Sequence, residues 1–474
     1  MVYHPQNDHG GQSTSPLIGA HDTNPIAAIA TASGRGSIGV IRVSGPDLKA
    51  FSQLVTGASD MTPRVASYMP IHDDDGSLID TAVVIYFKAP HSYTGEDVLE
   101  IQGHGGRAVL QLLLDRCLKQ GKPFGVRLAE PGEFSLRAFL NDKIDLAQAE
   151  AVADLIDASS AAAAKAAAAS LSGAFSREVQ QLAQELEGVR TLVEATLDFP
   201  EEEIEFIEKH QVKARLESIQ TQLTTVLEIS RKSSYLKNGL RVTLVGEPNV
   251  GKSSLLNAIF DQDIAIVTEI AGTTRDRIRE TLDIDGVPII LTDTAGLRQT
   301  TDPIEAIGIE RTIEAIKESD LILNIMDVRN PVSLLSQWSG NIDITGHEII
   351  NVYNKLDILE TNSDFYRNLE TDSLSVSAKT GAGIEALKSR ILEKAGRVVG
   401  DVSPWLGRAR HIEALETCSN HLTLAIEHAQ LDDRVLDLLA EELRLAHDAL
   451  GKITGHVSAD DLLGKIFSSF CIGK

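Results

Sequence analysis

Arg241-Val-Thr-Leu-Val245, then Gly246-Glu-Pro-Asn-Val-Gly251-Lys252-Ser253, then Ser254-Leu-Leu-Asn-Ala-Ile-Phe260 read as a strand, a glycine-rich loop and a helix. The loop is a G-x-x-x-x-G-K-S sequence in the context its chemistry requires. Its glycines let backbone N–H groups close around phosphate, and the helix N-terminus adds a favourable dipole. Lys252 supplies charge to the terminal phosphates. Asn249, Val250, Gly251, Lys252, Ser253 and Ser254 are the phosphate-side residues, with Ser253 expected on Mg2+.

Three further elements follow in order. Asp293-Thr294-Ala295-Gly296 ends a strand-like Pro288-Ile-Ile-Leu-Thr292, where Asp293 can hold the Mg2+ shell and the Gly296 N–H can meet a γ-phosphate. Asn354-Lys355-Leu356-Asp357 follows the run Glu348-Ile-Ile-Asn-Val352. A carboxylate at Asp357 accepts two N–H bonds from guanine's Watson–Crick edge. Adenine lacks that donor pair and would leave a buried acceptor unpaired. Ser377-Ala378-Lys379 closes the base pocket. The order and spacing define a GTPase. Leu297 occupies the position where Ras-like proteins carry a water-orienting Gln, so catalytic help must come from elsewhere. Arg275, Arg277 and Arg298 are nearby cations for that task, and equally explicable as surface residues.

Outward from this site the texture changes. From Gly239 onward, to about residue 397, strand-like runs alternate with helical patterns, the βαβ rhythm of a parallel sheet. On either side lies helix. Ala147 to Ala169 is Ala-dominated without Pro or Gly, which raises helix propensity. Val179, Leu182, Leu186, Val189 and Val193 recur at spacings of three or four, a bundle-core stripe. Pro200 interrupts an acidic stretch read as a solvated face and hinge. Leu436, Leu439, Ala440, Leu443, Leu445 and Leu450 repeat the helical pattern near the other end. Residues 141–238 and 398–474 therefore read as two parts of one helical domain into which residues 239–397 are inserted. Residues 23–140 are α+β, with strands at Gly39–Ser44 and Thr81–Phe87 and a helix at Val109–Leu118. Residues 1–22 read as a disordered lead-in.

Composition agrees with a multidomain globular chain. The 474 residues exceed one core, and 43% hydrophobic with 24% charged excludes a disordered chain. A net charge of −24 disfavours non-specific wrapping of nucleic acid but leaves room for a local basic site. Three scattered cysteines, Cys117, Cys418 and Cys471, form neither a disulfide framework nor a zinc cluster, which suits a reducing cytoplasm. No apolar run is long enough to span a membrane, and the N-terminus lacks signal-peptide regions. Cys471 lies where a prenylation signal would place it, but Lys474 is not an accepted last residue.

Further pieces carry a family resemblance: Gly34-Arg-Gly-Ser-Ile-Gly-Val-Ile-Arg42-Val-Ser-Gly45, Ser92-Tyr-Thr-Gly-Glu-Asp97, His104-Gly-Gly106, Pro131-Gly-Glu-Phe134 and Arg137-Ala-Phe-Leu-Asn-Asp-Lys143. Asp198-Phe-Pro, Ala271-Gly-Thr-Thr-Arg-Asp276 and the terminal Phe470-Cys471-Ile-Gly-Lys474 join them. From about residue 23 to the end the chain resembles the MnmE (TrmE) family of tRNA-modification GTPases. The resemblance implies an N-terminal α+β tetrahydrofolate-binding domain, a discontinuous α-helical domain and an inserted Ras-like P-loop G domain. It implies action with MnmG, a flavin (FAD) protein, to add an aminomethyl or carboxymethylaminomethyl group to C5 of the wobble uridine of certain tRNAs. The one-carbon unit comes from methylene- or formyl-tetrahydrofolate, and GTP is hydrolysed. Folate contacts fall by this match on Arg42, Glu100, Lys143 and Lys474.

The same resemblance supplies what Leu297 lacks. It implies a K+ ion held by Asn249, Thr268, Ile270 and Thr273, in place of an arginine finger. Thr268, Glu269, Ile270, Ala271, Gly272, Thr273 and Thr274 would then border the nucleotide, Thr274 completing Mg2+ coordination beside Ser253. The water-orienting carboxylate maps onto Glu305, and Cys471 is either a catalytic nucleophile or a wall of the folate pocket. A homodimer, a heterotetramer with MnmG, and tRNA contacted mainly through MnmG are implied as well. Ala32 and Ser33 depart from the Pro-Pro common in relatives, and Gly103 from a Cys found in some. The competing class is a ribosome-assembly GTPase of the Era or Der kind, without one-carbon chemistry.

Overall fold

A computed structural model describes residues 22–32, 34–198, 211–260, 279–293, 313–338, 347–359, 373–394, 403–431, 435–456 and 460–473. Its strands are β1 (Ile26–Ile29), β2 (Ile38–Gly45), β3 (Ser67–His72), β4 (Leu78–Phe87), β5 (Asp97–His104), β6 (Arg127–Leu128), β7 (Leu240–Val245), β8 (Arg279–Ile284), β9 (Val287–Asp293), β10 (Leu321–Asp327), β11 (Glu348–Asn354) and β12 (Ser373–Ser375). Its α-helices are α1 (Lys49–Thr56), α2 (Arg107–Gly121), α3 (Glu133–Leu140), α4 (Leu146–Asp157), α5 (Ala161–Leu171), α6 (Ala174–Asp198), α7 (Val212–Asn238), α8 (Lys252–Phe260), α9 (Leu334–Trp338), α10 (Ile384–Lys394), α11 (Ala409–His428), α12 (Leu436–Thr454) and α13 (Asp460–Ser468). They form two compact units, one of residues up to Glu150 together with those from Thr454, the other from Ala151 to Ile453.

In the first unit a six-stranded sheet runs β3-β4-β5-β2-β1-β6. All its pairings are antiparallel except β1 with β6. Strict alternation decides which face is buried: Ala82, Val84 and Tyr86 of β4 point inward with Ile41, Val43, Leu99 and Ile101. Phe51 of α1 and Leu110, Leu113 and Cys117 of α2 cover that face. The α+β reading of this part of the chain matches what is observed.

In the second unit the sheet runs β12-β11-β10-β7-β9-β8, parallel throughout except for antiparallel β8 at the edge. Strands buried on both faces need continuous apolar sequence, and Leu321-Ile-Leu-Asn-Ile-Met326 is buried throughout. The Ala147–Ala169 stretch is not one helix. It breaks between α4 and α5, where the Ser160 side chain accepts from the Ala163 N–H at 3.2 Å and starts a new helix. The stripe on α6 is core: Val179, Leu182, Leu186, Val189 and Val193 are all buried. Pro200 and the residues around it lie outside the described residues. Among the described residues, no helix is long and apolar enough to cross a membrane.

Candidate functional site

The carboxyl ends of β7, β9, β11 and β12 lie along one edge of the parallel sheet, where ligands of such sheets bind. The loop from Gly246 to Gly251 leaves β7 there and enters α8 at Lys252. Two glycines are obligatory. A Cβ on Gly246 would come within 2.3 Å of the Ile325 carbonyl on β10, and one on Gly251 (φ +97°) within 2.4 Å of Asn354 Nδ2. Lys252 is buried, its ammonium donating to the carbonyls of Gly246 (2.7 Å) and Glu247 (3.0 Å). Ser253 and Ser254, in the first turn of α8, are exposed.

The base-side elements lock onto this loop. Buried Asn354 donates to the Val250 carbonyl at 2.9 Å and accepts from the Ala378 N–H at 3.1 Å, so one amide ties the phosphate loop to the Ser377-Ala378-Lys379 turn. Lys355 (φ +70°) donates to the Asn249 carbonyl (2.7 Å) and to Asp327 (2.8 Å). Asp327, at the end of β10, also receives Arg329, and these two cations hold its carboxyl well below the ordinary range. Sequence reasoning missed Asp327; its place at the carboxyl end of an apolar strand was the available signal. Asp357 is exposed, and the Ser377 hydroxyl donates to it at 2.6 Å, which lowers its pKa and keeps it an acceptor.

The structure thus brings together Asn249, Val250, Gly251, Lys252, Asn354, Lys355, Asp357, Ser377 and Ala378. Leu356 lies in the short turn between Lys355 and Asp357, and Lys379 follows Ala378. Asp293 closes β9 at the same edge. Thr268, Glu269, Ile270, Ala271, Gly272, Thr273, Thr274, Thr294, Ala295, Gly296 and Glu305 lie outside the described residues, as do Arg275, Arg277, Leu297 and Arg298.

A second polar constellation occupies the first unit. Arg42 on β2 sits opposite Glu100 on β5, with Nε and Nη2 each 2.9 Å from Glu100 Oε1. Its guanidinium lies 5.7 Å from the Tyr93 ring centroid and 5.8 Å from that of Phe134, a cation–π arrangement. Arg42 Nη1 also donates to the Gly473 carbonyl at 3.5 Å. The C-terminal segment is held further by the Gly132 N–H, which donates to the Cys471 carbonyl. Gly473 (φ +96°) packs so close to Ile29 that a Cβ would come within 2.4 Å of its carbonyl. Lys143 donates to the Pro90 carbonyl at 3.0 Å, Cys471 is exposed, and Lys474 lies outside the described residues. Tyr93 and Phe134 were present in the motifs but carried no role until their rings were seen to flank Arg42.

The parallel sheet, its G-x-x-x-x-G-K-S loop and an Asn-Lys-x-Asp turn at one edge define a P-loop GTPase unit, here joined to helices and an α+β unit. Residues 25–143 match the family model described as GTP-binding protein TrmE N-terminus, and residues 146–471 the model described as MnmE helical domain. The tRNA modification GTPase MnmE of Bordetella avium is 55% identical over 455 residues, covering 95% of this chain and 99% of that one. The protein of the same name from Ralstonia nicotianae is 52% identical over 460 residues, covering 95% and 97%. A crystal structure of an Aquifex aeolicus Era variant bound to GDP.AlF4- is 25% identical, covers 39% of this chain and 67% of that one, and has a TM-score of 0.26. The chain belongs to the MnmE family of tRNA modification GTPases and is a GTP hydrolase.

Proposed function

We propose that this chain couples GTP hydrolysis to addition of an aminomethyl or carboxymethylaminomethyl group at C5 of the wobble uridine of certain tRNAs, acting with MnmG. In this reading residues 23–140 are the folate-binding domain, 141–238 and 398–474 the discontinuous helical domain, and 239–397 the inserted G domain. The observation that carries it is the meeting of Arg42, Glu100 and the Gly473 carbonyl, because two of the expected folate residues then adjoin the end of the chain. Arg42, Lys143 and Lys474 suit glutamyl carboxylates, and Glu100 can accept from pterin N–H groups. Methylene- or formyl-tetrahydrofolate supplies the one-carbon unit when bound. Cys471 beside this group is either a nucleophile or a pocket wall. Full uridine modification by Cys471→Ser would remove the nucleophile.

On the GTPase side, Ser253 offers an exposed hydroxyl at the helix start and Thr274 a second oxygen, a donor set that fits Mg2+. Asn249 is exposed, and its side chain makes no hydrogen bond among the described residues, which fits a K+ ligand alongside Thr268, Ile270 and Thr273. Both ions supply positive charge against the phosphates. Glu305 orients the attacking water. Two G domains meet face to face in a homodimer when nucleotide and K+ order these segments, and the helices pass closure to the folate region and to MnmG, in a cytoplasmic heterotetramer. The net charge of −24 supports a reading in which most of the tRNA contact lies on MnmG, which also brings FAD, with local basic patches here.

Titration with 5-formyl-tetrahydrofolate tests the folate reading; absence of binding returns the chain to a pure switch of the Era or Der kind. GTP turnover in KCl against NaCl tests the ion, and equal rates sink it. Glu305→Ala should keep nucleotide affinity while cutting turnover, whereas lost affinity would make Glu305 structural.

A further inference from the structure

Gly34–Ser37, which opens one glycine-rich piece singled out in the sequence, and His104-Gly-Gly106 have no part in the sites above, and the fold brings them side by side. Ile38, which follows the Gly34–Ser37 loop, pairs with His104 across β2 and β5. The Gly105 N–H donates to the Ser37 carbonyl, and a Cβ on Gly105 would come within 2.5 Å of the Gly36 carbonyl. His104 is fixed from below. Asp80, only 9% exposed, accepts from the His104 backbone N–H and from Nδ1, both at 2.8 Å, and from the Thr81 N–H at 2.8 Å. Burial alone raises the pKa of this carboxyl, but those donors bring it below the ordinary value, so it stays ionised. A Cβ on Gly103 would come within 2.6 Å of Asp80 Oδ2, so this glycine leaves room for the carboxylate in its present position.

The imidazole is thereby oriented with Nδ1 on Asp80, while its side chain remains 73% exposed. Arg35 and Arg107, one residue before Gly36 and two after Gly105, are exposed, and neither forms an ion pair among the described residues. Elsewhere on α2 the cations are neutralised, Arg116 by Asp74 and Lys119 by Asp73. An acidic molecule has left two arginines unpaired around a histidine that it holds in one orientation.

We propose that Arg35, His104 and Arg107 form a contact for the phosphate backbone of the tRNA substrate. The proposal rests on the tRNA-modification reading and adds to it a surface on the α+β unit. An open patch suits a phosphodiester running over it better than a small enclosed anion, and arginine forks match phosphate oxygens. Two arginine charges and a histidine donor give weak, salt-sensitive binding that orients the RNA, consistent with most of the affinity residing on MnmG.

The test is tRNA binding by the full chain at about 50 mM salt and upward, where each lost phosphate contact lowers the salt slope by about 1. Arg35→Gln with Arg107→Gln should weaken binding about tenfold and lower the slope by about 2, Arg→Lys replacements should recover most of both, and His104→Gln should weaken binding with smaller effect. GTP turnover should stay at the wild-type value in all of them, and melting temperature in the arginine variants, whose side chains are exposed. His104→Gln, which removes a donor to Asp80, should lower the melting temperature slightly. Unchanged tRNA affinity in the double variant overturns the proposal, as does a loss of 5-formyl-tetrahydrofolate affinity with tRNA binding intact. A wild-type chain that binds no tRNA also removes it. The tRNA-modification reading falls only if deleting the gene leaves tRNA uridines unaltered, so the two failures are separable.

Discussion

Lys237 and Arg408 reach the same buried carboxylate. Asp154 Oδ1 accepts from Lys237 Nζ at 2.6 Å and from Arg408 Nη2 at 2.7 Å, while Arg408 Nε bonds Oδ2 at 2.9 Å. Lys237 ends the helix α7 that leads into β7 and the phosphate loop, and Arg408 caps the helix α11 that follows the parallel sheet in sequence. One side chain on α4 thus grips the chain both where it enters the GTPase fold and where it leaves. Serines hold the exit beside it: the N–H groups of Leu406 and Gly407 donate to Ser170 and Ser233, and the Trp405 indole donates to Ser230.

Replacing Asp154 by Asn removes the charge that two cations share while keeping the shape. Breaking a buried pair costs about 3–5 kcal/mol, and the partial exposure of Lys237 brings the expected loss to about 2–3 kcal/mol. Urea unfolding followed by tryptophan fluorescence should show it, because Trp405 is buried beside this junction. A transition unchanged within about 0.5 kcal/mol would make the cluster energetically idle.

In the proposed reading Asp357 sets the base. As an acceptor for two guanine N–H groups, it loses one charge-assisted bond and gains a mismatched donor when replaced by Asn. GTP affinity should fall about 100-fold, while xanthosine triphosphate, whose C2 oxygen can accept from the new amide, should bind better than to the wild type. Ser377→Ala, which removes only the hydroxyl that holds Asp357, should cost about threefold. Equal GTP affinity in Asp357→Asn would remove the residue from the base pocket.

Much of this was legible because local pattern and tertiary need agree. Arg241–Val245 and Gly246–Ser253 specify strand, loop and helix without help from the rest of the chain, and Val179 to Val193 shows its buried face by spacing alone. What stayed hidden depends on contacts distant in sequence. Asn354 reads as part of a base-recognition motif, yet its amide spans the loops at Val250 and Ala378. Arg42 and Glu100 follow from the family resemblance, but that they form an ion pair depends on the pairing of β2 with β5, which sets them opposite each other. The alanine run hid a break because Ala propensity is uniform across it, and the Ser160 cap is a single-residue signal.

Acid should loosen the α+β unit through Asp97. Its carboxylate is 1% exposed. Burial by itself raises its pKa, but the Ala89 N–H, the Tyr86 hydroxyl and Lys88 all favour the charged form and bring it below 3.8. A depressed folded value means the stabilisation is complete above the unfolded pKa and is lost as pH falls through the folded one. Stability should therefore be flat above about pH 5 and decline below about pH 4. Asp97→Asn should lower stability at neutral pH and flatten the acid limb; an unaltered limb would assign the acid sensitivity to other carboxylates.

The thiols should separate cleanly. Cys117 and Cys418 are fully buried, and burial pushes both thiols up to about 12, so neither presents a thiolate near neutral pH. Cys471 is exposed. A thiol reagent at about pH 8 should label one cysteine in the native protein and all three in denaturant, and Cys471→Ser should abolish the native reaction. The same assay tests the neighbourhood of Arg42: if Cys471 borders the folate pocket, saturating 5-formyl-tetrahydrofolate should slow labelling about tenfold without changing the count in denaturant. Labelling that ignores the ligand would remove Cys471 from that pocket, and fast native labelling of a second cysteine would contradict the burial of Cys117 or Cys418.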